Sequence, residues 1–233
     1  MITSQRLLQG FFVFGILYSI LILTGYDTLT WYLKPFLLPF LFYAVVKSEV
    51  FETKKWLLIA LLFSWFGDCI LMFADKSEMY FIYGLVAFLL AHVLFIILFS
   101  SQKSANKSFK EKLFWVGFLG ATIYLIGILS LLIPSLGDLK FPVTAYALII
   151  TIMLKTALKG TFDWGGNSKY TVMIGAAFFV TSDSILAINK FHSPIPLANF
   201  WIMLTYLIAQ FSITYGILKL NQKNNLGAQH LSS

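Results

Sequence analysis

The sequence has little charge: only 12% of its 233 residues are Asp, Glu, Lys or Arg. A soluble domain carries about 25% charged residues, whereas 59% of this chain is hydrophobic. No soluble fold can bury that much apolar side chain, but a lipid bilayer solvates it. The scarcity of charge therefore excludes an ordinary soluble enzyme and predicts an integral membrane protein.

Cysteine and histidine are also scarce. Cys69 is the only cysteine, which excludes a disulfide framework and a Cys-based metal or redox motif. Of the three histidines, His92 alone lies within an apolar segment, so a zinc site inside the membrane is not expected. The sequence also lacks the zinc-protease motif His-Glu-x-x-His, the nucleophile elbow Gly-x-Ser-x-Gly and a phosphate-binding glycine loop. We therefore expect no metal and no cofactor.

Long apolar runs make up most of the chain. A spanning helix needs about 20 mostly apolar residues, and eight such segments are predicted. The fold class is an all-α bundle of transmembrane helices that forms one domain over residues 1–220, followed by a polar cytoplasmic tail over 221–233. The predicted spans are 7–24, 32–46, 56–73, 80–99, 113–133, 141–158, 170–189 and 198–219.

The positive charges predict how the bundle is oriented, because cytoplasmic loops are enriched in Lys and Arg. With eight spans, twelve basic residues share the side of both termini, four lie on the opposite side, and Lys155 lies near the inner end of the sixth segment. Both termini are therefore predicted to be cytoplasmic. This distribution explains the net charge of +7 without nucleic acid as a partner. The twelve are Arg6, Lys47, Lys54, Lys55, Lys103, Lys107, Lys110, Lys112, Lys159, Lys169, Lys219 and Lys223, and the four are Lys34, Lys76, Lys140 and Lys190.

Two acidic residues lie where lipid does not tolerate them, Asp68 in the third segment and Asp183 in the seventh. A charge near the bilayer centre costs at least about 2.5–3.5 kcal/mol, so such residues face the bundle interior. Counted from the predicted outer helix ends, both lie at a depth of about 8–9 Å. Each follows a small residue, Gly67 or Ser182, and precedes a Leu at i+3. We interpret this as a weak internal repeat that brings two carboxylates to a common cavity; a purely structural role for each Asp is the alternative.

Other polar residues fall near the same layer. Lys34 opens the second segment directly before Pro35, and it is either a cation of the site or an interfacial lysine whose stem covers apolar surface. The remaining intramembrane candidates are either site residues or ordinary helix contacts. They are His92, Tyr146, Tyr206 and Gln210.

These polar residues belong to short motifs that follow one another along the chain. The motifs are Lys34-Pro35, Ser64-x-x-Gly67-Asp68-x-x-Leu71, Gly84-x-x-Ala87-Phe88-x-x-Ala91-His92, Pro142-x-x-x-Tyr146, Gly175-Ala176-x-x-Phe179-x-x-Ser182-Asp183-x-x-Leu186-Ala187 and Tyr206-x-x-Ala209-Gln210. The ordered set resembles the YhhN-type lysoplasmalogenase family of eight-span membrane proteins.

The resemblance implies a hydrolase that cleaves the vinyl ether bond of lysoplasmalogens to a fatty aldehyde and a glycerophospho-ethanolamine or -choline. It implies a lysophospholipid as the substrate and membrane lipid as the surroundings, and we expect a bacterial cytoplasmic membrane. A homo-oligomer is left open. With Asp68 and Asp183 as the catalytic candidates, the supporting or substrate-binding candidates are Lys34, Ser64, His92, Tyr146, Ser182, Tyr206 and Gln210.

Two carboxylates suit the chemistry of a vinyl ether, which is stable to base and labile to acid. Together they can supply a proton, activate water and stabilise a cation, by analogy with inverting glycosidases. We assign Asp183 as the acid, because Ser182 and Ser184 can orient it, and Asp68 as the base. The alkenyl chain is expected in an apolar cavity that is reached laterally between helices. A proton-coupled transporter and a lipid-binding protein are the alternative functions, because intramembrane aspartates serve there too.

The predicted topology can be tested with reporter fusions. Fusions after Lys107 and in the tail are expected to report a cytoplasmic location, and fusions after Lys76 and Lys140 an external one, because basic loops stay inside. If Lys107 and the tail were found on opposite faces of the membrane, the number of eight spans would be wrong.

Overall fold

All regular structure in the described part of the chain is helical. The computed structural model describes residues 3–104 and 111–232, with side chains over 3–104 and 112–222, so Lys107 and Lys110 of the predicted inner loops lie outside it. The α-helices are α1 Ser4–Leu23, α2 Asp27–Leu33, α3 Leu37–Val46, α4 Lys54–Leu71, α5 Glu78–Ser100, α6 Glu111–Leu132, α7 Lys140–Asp163, α8 Ser168–Phe191 and α9 Ala198–Ser232.

The described residues form eight helical segments, because α2 and α3 together make one interrupted rod. Seven of these segments are long and apolar enough to cross a membrane, which confirms the prediction of an integral membrane protein. The eighth, α4, has 18 residues and includes Lys54, Lys55 and Asp68, so it lacks a long stretch free of charge. Seven of the eight predicted spans are thus confirmed as candidate membrane spans, while the span in α4 and the orientation of the termini stay predictions.

Proline interrupts the second segment. A 3-10 turn over Lys34–Phe36 separates α2 from α3, with Pro35 near its start. Proline has no backbone N–H and its ring obstructs a regular α-helical turn. The indole Nε1 of Trp65 on α4 donates a hydrogen bond to the carbonyl oxygen of Pro35 over 2.7 Å. The turn is therefore fixed to α4, the helix that carries Asp68.

The helix ends differ from the predicted ends. Helix α4 ends at Leu71 and α8 ends at Phe191, while α9 continues past residue 219 to Ser232. Asp68 is three residues from its helix end (71 − 68) and Asp183 is eight (191 − 183), or about 4–5 Å and about 12 Å at 1.5 Å per residue. The observed helix ends therefore do not give Asp68 and Asp183 the equal depths that we inferred from the predicted helix ends.

Two helix pairs pack most extensively, α4 with α5 and α8 with α9. A Cβ added to Gly175 on α8 would lie 2.8 Å from the backbone nitrogen of Ile213 and 2.9 Å from the carbonyl oxygen of Ala209, both on α9. A Cβ on Gly67 of α4 would lie 2.6 Å from the Phe88 ring of α5. Small residues allow this close approach of helices in membranes.

Helix α6 lies at the edge of the bundle, where it packs mainly against α7 and more weakly against α8. Its outer face is exposed: Val116, Ile123 and Ile126 are 66%, 69% and 63% accessible, as expected for a surface solvated by lipid. Lys155 of α7 holds the inner face of α6, since its Nζ donates to Thr122 Oγ1 over 2.8 Å.

A test of the close α8–α9 contact is the variant Gly175→Ala. Backbone atoms cannot give way as a side-chain tip can, so α8 and α9 must separate. We expect overpacking to cost about 1–3 kcal/mol of stability, measured as a lower Tm in detergent.

The matched control is Gly120→Ala on α6, where nothing lies within 4 Å of an added Cβ. Its Tm should stay the same or rise, because alanine favours helix over glycine by up to about 1 kcal/mol. Equal Tm values for both variants would contradict the contact.

Candidate active site

Asp68 is buried inside the bundle, with 4% of its surface exposed. The hydroxyl of Tyr206 on α9 donates a hydrogen bond to Asp68 Oδ2 over 2.7 Å. The same hydroxyl oxygen accepts a hydrogen bond from Gln210 Nε2 over 3.3 Å. Lys34, on the turn between α2 and α3, interacts electrostatically with the Asp68 carboxylate. The first carboxylate thus has a hydroxyl donor and a nearby cation.

Asp183 belongs to a second polar group. The hydroxyl of Tyr146 on α7 donates to Asp183 Oδ2 over 2.6 Å. Nε2 of His92 on α5 lies 3.1 Å from the same oxygen and 2.9 Å from the Tyr146 hydroxyl. His92 is fully buried, while the Asp183 side chain is 15% exposed. Side chains from three helices therefore meet in a closed triangle.

In this triangle, the donor in each contact of His92 depends on which ring nitrogen carries the imidazole proton. Tyr146 has one hydroxyl proton, and the proton of a neutral His92 is on either ring nitrogen, so Nε2 either donates or accepts. His92 Nδ1 is buried and has no hydrogen-bond partner among the described residues. Nε2 is therefore the His92 nitrogen that contacts both the carboxyl group of Asp183 and the Tyr146 hydroxyl.

The two carboxylates do not contact each other. In the described ranges no hydrogen bond or ion pair joins Asp68 to Asp183, and each binds its own tyrosine. The Phe179 ring contacts both groups, since its centroid lies 4.6 Å from the His92 ring and 5.5 Å from the Tyr206 ring. Tyr206 interacts electrostatically with both carboxylates. The candidate site is therefore two neighbouring polar groups rather than a hydrogen-bonded carboxylate pair.

The serines beside Asp183 do not orient it, which corrects our reason for assigning this residue as the acid. Ser182 Oγ donates to the carbonyl oxygen of Ile202 on α9 over 3.0 Å. Ser184 Oγ donates to the carbonyl oxygen of Val180 over 2.7 Å. Both hydroxyls satisfy backbone carbonyls, as serine in a membrane helix commonly does. Tyr146 and His92 hold the carboxyl group instead.

Several buried polar atoms have no partner among the described residues. Ser64 Oγ on α4 and Gln210 Oε1 on α9 are two of them. Both residues are fully buried, and such atoms are uncommon because each costs free energy when it is left unpaired. They are available to a water molecule or a substrate hydroxyl. Within residues 3–104 and 111–232, no group of three His, Cys, Asp or Glu side chains could hold a metal ion.

The structure adds two tyrosines that the sequence did not indicate. Tyr18 of α1 is 3% exposed and interacts electrostatically with Asp68. Tyr124 of α6 donates to Ser184 Oγ over 2.7 Å, next to Asp183. In the sequence, each of them is only a tyrosine within an apolar segment. Such tyrosines are common at ordinary helix contacts.

A narrow cavity lies beside Asp183, between α5, α6, α7 and α8. Its polar side chains include Asp183, Tyr146, Ser184 and Tyr124, and most of its wall is apolar. About 50 Å³ of it admits a water-sized molecule. Asp183 Oδ1 accepts no hydrogen bond from the described residues, so this oxygen is available to a molecule in the cavity.

Comparison with known proteins gives a consistent set of relatives. Residues 29–217 match the YhhN family. Human lysoplasmalogenase TMEM86A is 32% identical over 159 residues, which cover 66% of this chain and 62% of that protein. Human lysoplasmalogenase TMEM86B is 33% identical over 160 residues, with 69% and 62% covered. The lysoplasmalogenase of Mycobacterium bovis is 31% identical over 200 residues, with 83% and 72% covered.

The matched region spans about 62% of the length of the two human relatives. No protein of solved structure matches the chain.

The Asp68–Tyr206 hydrogen bond can be tested by a double-mutant cycle. Tyr206→Phe leaves the buried carboxylate without its hydroxyl donor. We therefore expect the free energy of unfolding to fall by about 1–3 kcal/mol, measured as a lower Tm in detergent. In the Asp68→Leu background, which has no acceptor for the hydroxyl, the same change should cost less, because the two residues interact directly. The control is Tyr215→Phe on the same helix, whose hydroxyl makes no hydrogen bond to the described residues. Equal losses in both backgrounds would show that the bond contributes nothing.

Proposed function

Because this chain belongs to the YhhN family, we propose that it is a membrane-embedded lysoplasmalogenase. It hydrolyses the vinyl ether bond of a lysoplasmalogen to a fatty aldehyde and a glycerophospho-ethanolamine or -choline. The observation that carries the proposal is Asp183, a partly exposed carboxyl group held by Tyr146 and His92 at an apolar cavity.

The reaction requires acid before it requires base. A proton adds to the β-carbon of the vinyl ether, and the electrons of the double bond form the new C–H bond. The resulting oxocarbenium ion is captured at its α-carbon by water, which loses a proton, and the hemiacetal then collapses to aldehyde and alcohol. The protein must therefore supply a positioned acid, a base for the water and negative charge near the cation.

Asp183 is the acid in this proposal. Both of its partners bind Oδ2, so Oδ1 is left to present a proton towards the cavity. Tyr146 and His92 fix the orientation of the carboxyl group through their contacts with Oδ2. These contacts replace the neighbouring serines as the support for the assignment.

Asp68 is the base and the source of negative charge. Tyr206 donates to it and Lys34 interacts with it electrostatically, so the group that takes up the proton of the attacking water has a hydroxyl and a cation beside it. In inverting glycosidases the two carboxyl groups are about 6.5–9.5 Å apart, which leaves room for water. The absence of direct contact between Asp68 and Asp183 is compatible with that division of labour.

The remaining polar residues assist. Ser64 Oγ and Gln210 Oε1 are buried acceptors without partners among the described residues, and they bind the attacking water or a glycerol hydroxyl. Tyr206 links the two groups, since it bonds to Asp68 and interacts electrostatically with Asp183. Ser182 acts in helix packing rather than in substrate binding.

The variants Asp68→Asn and Asp183→Asn test the proposal. Each keeps the size of the side chain and removes its acid–base function, so turnover of a lysoplasmenylethanolamine should fall at least about 10²-fold. The double variant should be scarcely worse than either single one, because residues that act as a unit are not additive. Aldehyde release and Tm are measured on the same preparations. Asp75→Asn, an exposed residue after α4, is the matched control and should keep wild-type turnover.

Other outcomes would identify the alternative functions. Wild-type turnover in a folded Asp183→Asn protein would exclude Asp183 as the acid. Substrate-dependent proton flux in liposomes, without aldehyde release, would indicate a transporter. A fall in Tm with unchanged activity per folded molecule would indicate that the aspartates are structural.

A further inference from the structure

We propose that the cavity beside Asp183 binds the single hydrocarbon chain of the substrate, and that α6 is the wall that sets its width. The chain occupies the apolar arm, which is the part of the cavity lined by Phe81, Leu85, Ile128, Leu132, Val143 and Phe191. This inference rests on the proposed function, because it assigns the alkenyl chain next to the reactive vinyl ether.

The polar and apolar parts of the cavity are arranged along its length. Leu132 and Phe191 are the last residues of α6 and α8, and Val143 is the fourth residue of α7. The apolar arm therefore ends on the side of the bundle where α6 and α8 end and α7 begins. Asp183 lies eight residues before Phe191, so the arm extends about 12 Å from the carboxyl group. A vinyl ether at Asp183 would continue directly into a channel for its own chain.

The cavity favours a hydrocarbon chain over a phosphorylated headgroup. Among the residues with described side chains, Asp183 is the only charged one that lines it. An anionic phosphate beside a carboxylate in a low-dielectric site, without a cation, would lose hydration and gain repulsion. An alkenyl chain instead buries apolar surface at about 25 cal/mol per Å².

The apolar arm is built mainly on a small cluster that is distinct from the main core. Leu132, Leu136 and Val143 form this buried cluster, with Leu85, Ile128 and Phe191 packed against it. The large cluster meets the arm at Leu85 and contains Tyr146 and Ile150 of the other part of the cavity. A small cluster has few buried contacts, so it opens at lower cost than the core. A hydrocarbon chain would replace the contacts that opening breaks.

Helix α6 is the side of the cavity that can move. The cavity is too narrow for a hydrocarbon chain as it stands, so a wall must shift outward. Helices α5, α7 and α8 have buried neighbours on several sides, whereas α6 packs on α7 and only weakly on α8. The hydrogen bond from Tyr124 to Ser184, 2.7 Å long, joins α6 to α8 beside Asp183. Its hydroxyl is on a side chain that is 43% exposed, so the bond can exchange with another polar partner.

The test compares chain-length preference in variants of α6. Ile128→Trp narrows the apolar arm, so kcat/KM for long alkenyl chains should fall by about 10-fold or more relative to short ones, the scale for methylene-sized changes in an apolar site. Ile128→Ala widens the arm and should shift the preference towards longer chains. Ile126→Trp makes the same change two residues away on the exposed face of α6 and should leave the preference unchanged.

A second readout separates this inference from the proposed function. Saturated 1-O-alkyl lysophospholipids lack the vinyl ether, and their binding can be followed by native mass spectrometry as the chain lengthens. A shift in binding preference in the Ile128 variants would support the chain site even if no aldehyde is released. Turnover with the same chain-length preference in wild type and both Ile128 variants would overturn the chain site and leave the proposed function standing. If Ile128→Trp does not fold, Ile128→Ala decides, since its effect has the opposite sign.

Discussion

A carboxylate in the interior of a membrane bundle needs a polar partner, because lipid and apolar side chains cannot solvate it. Each intramembrane aspartate meets this requirement with a tyrosine from another helix, Tyr206 for Asp68 and Tyr146 for Asp183. The partners lie 138 and 37 residues away in sequence, so one bond joins α4 to α9, which are distant in the chain, and the other joins the consecutive helices α7 and α8. The positions of α4, α7, α8 and α9 are therefore fixed by the same contacts that form the candidate site.

The small residue before each aspartate explains how the carboxylate is directed. Gly67 lies against Phe88 of the following helix, α5, and Ser182 donates to the carbonyl of Ile202 on the following helix, α9. Consecutive residues on a helix point about 100° apart, since a turn has 3.6 residues. The aspartate one position later is thus turned away from the following helix and towards a third one. The weak repeat in the sequence has this geometric counterpart.

Much of the fold could be predicted from sequence, because hydrophobic length and proline act locally. The helical segments and the positions of Asp68 and Asp183 inside the bundle follow from which residues lipid can solvate, whereas the second segment begins at Asp27 rather than at residue 32 and is interrupted at Pro35. Helix ends and hydrogen-bond partners could not be predicted in the same way. Whether Ser182 faces a carboxylate or a backbone carbonyl depends on the rotation of α8 against α9, and close packing around Gly175 sets that rotation. Tyr18 gave no signal, since its relation to Asp68 arises only when α1 packs against the bundle.

The peripheral position of α6 gives the surrounding bilayer a mechanical role. One face of this helix bounds the cavity beside Asp183, and the opposite face is exposed to lipid. Lateral pressure from the acyl chains therefore acts on a wall of the cavity without passing through the rest of the protein. A thicker or more ordered membrane changes the lateral force on α6, because the hydrophobic length of the helix then differs from the thickness of the bilayer. The physical state of the lipid, as well as its concentration, is thereby coupled to the volume next to Asp183.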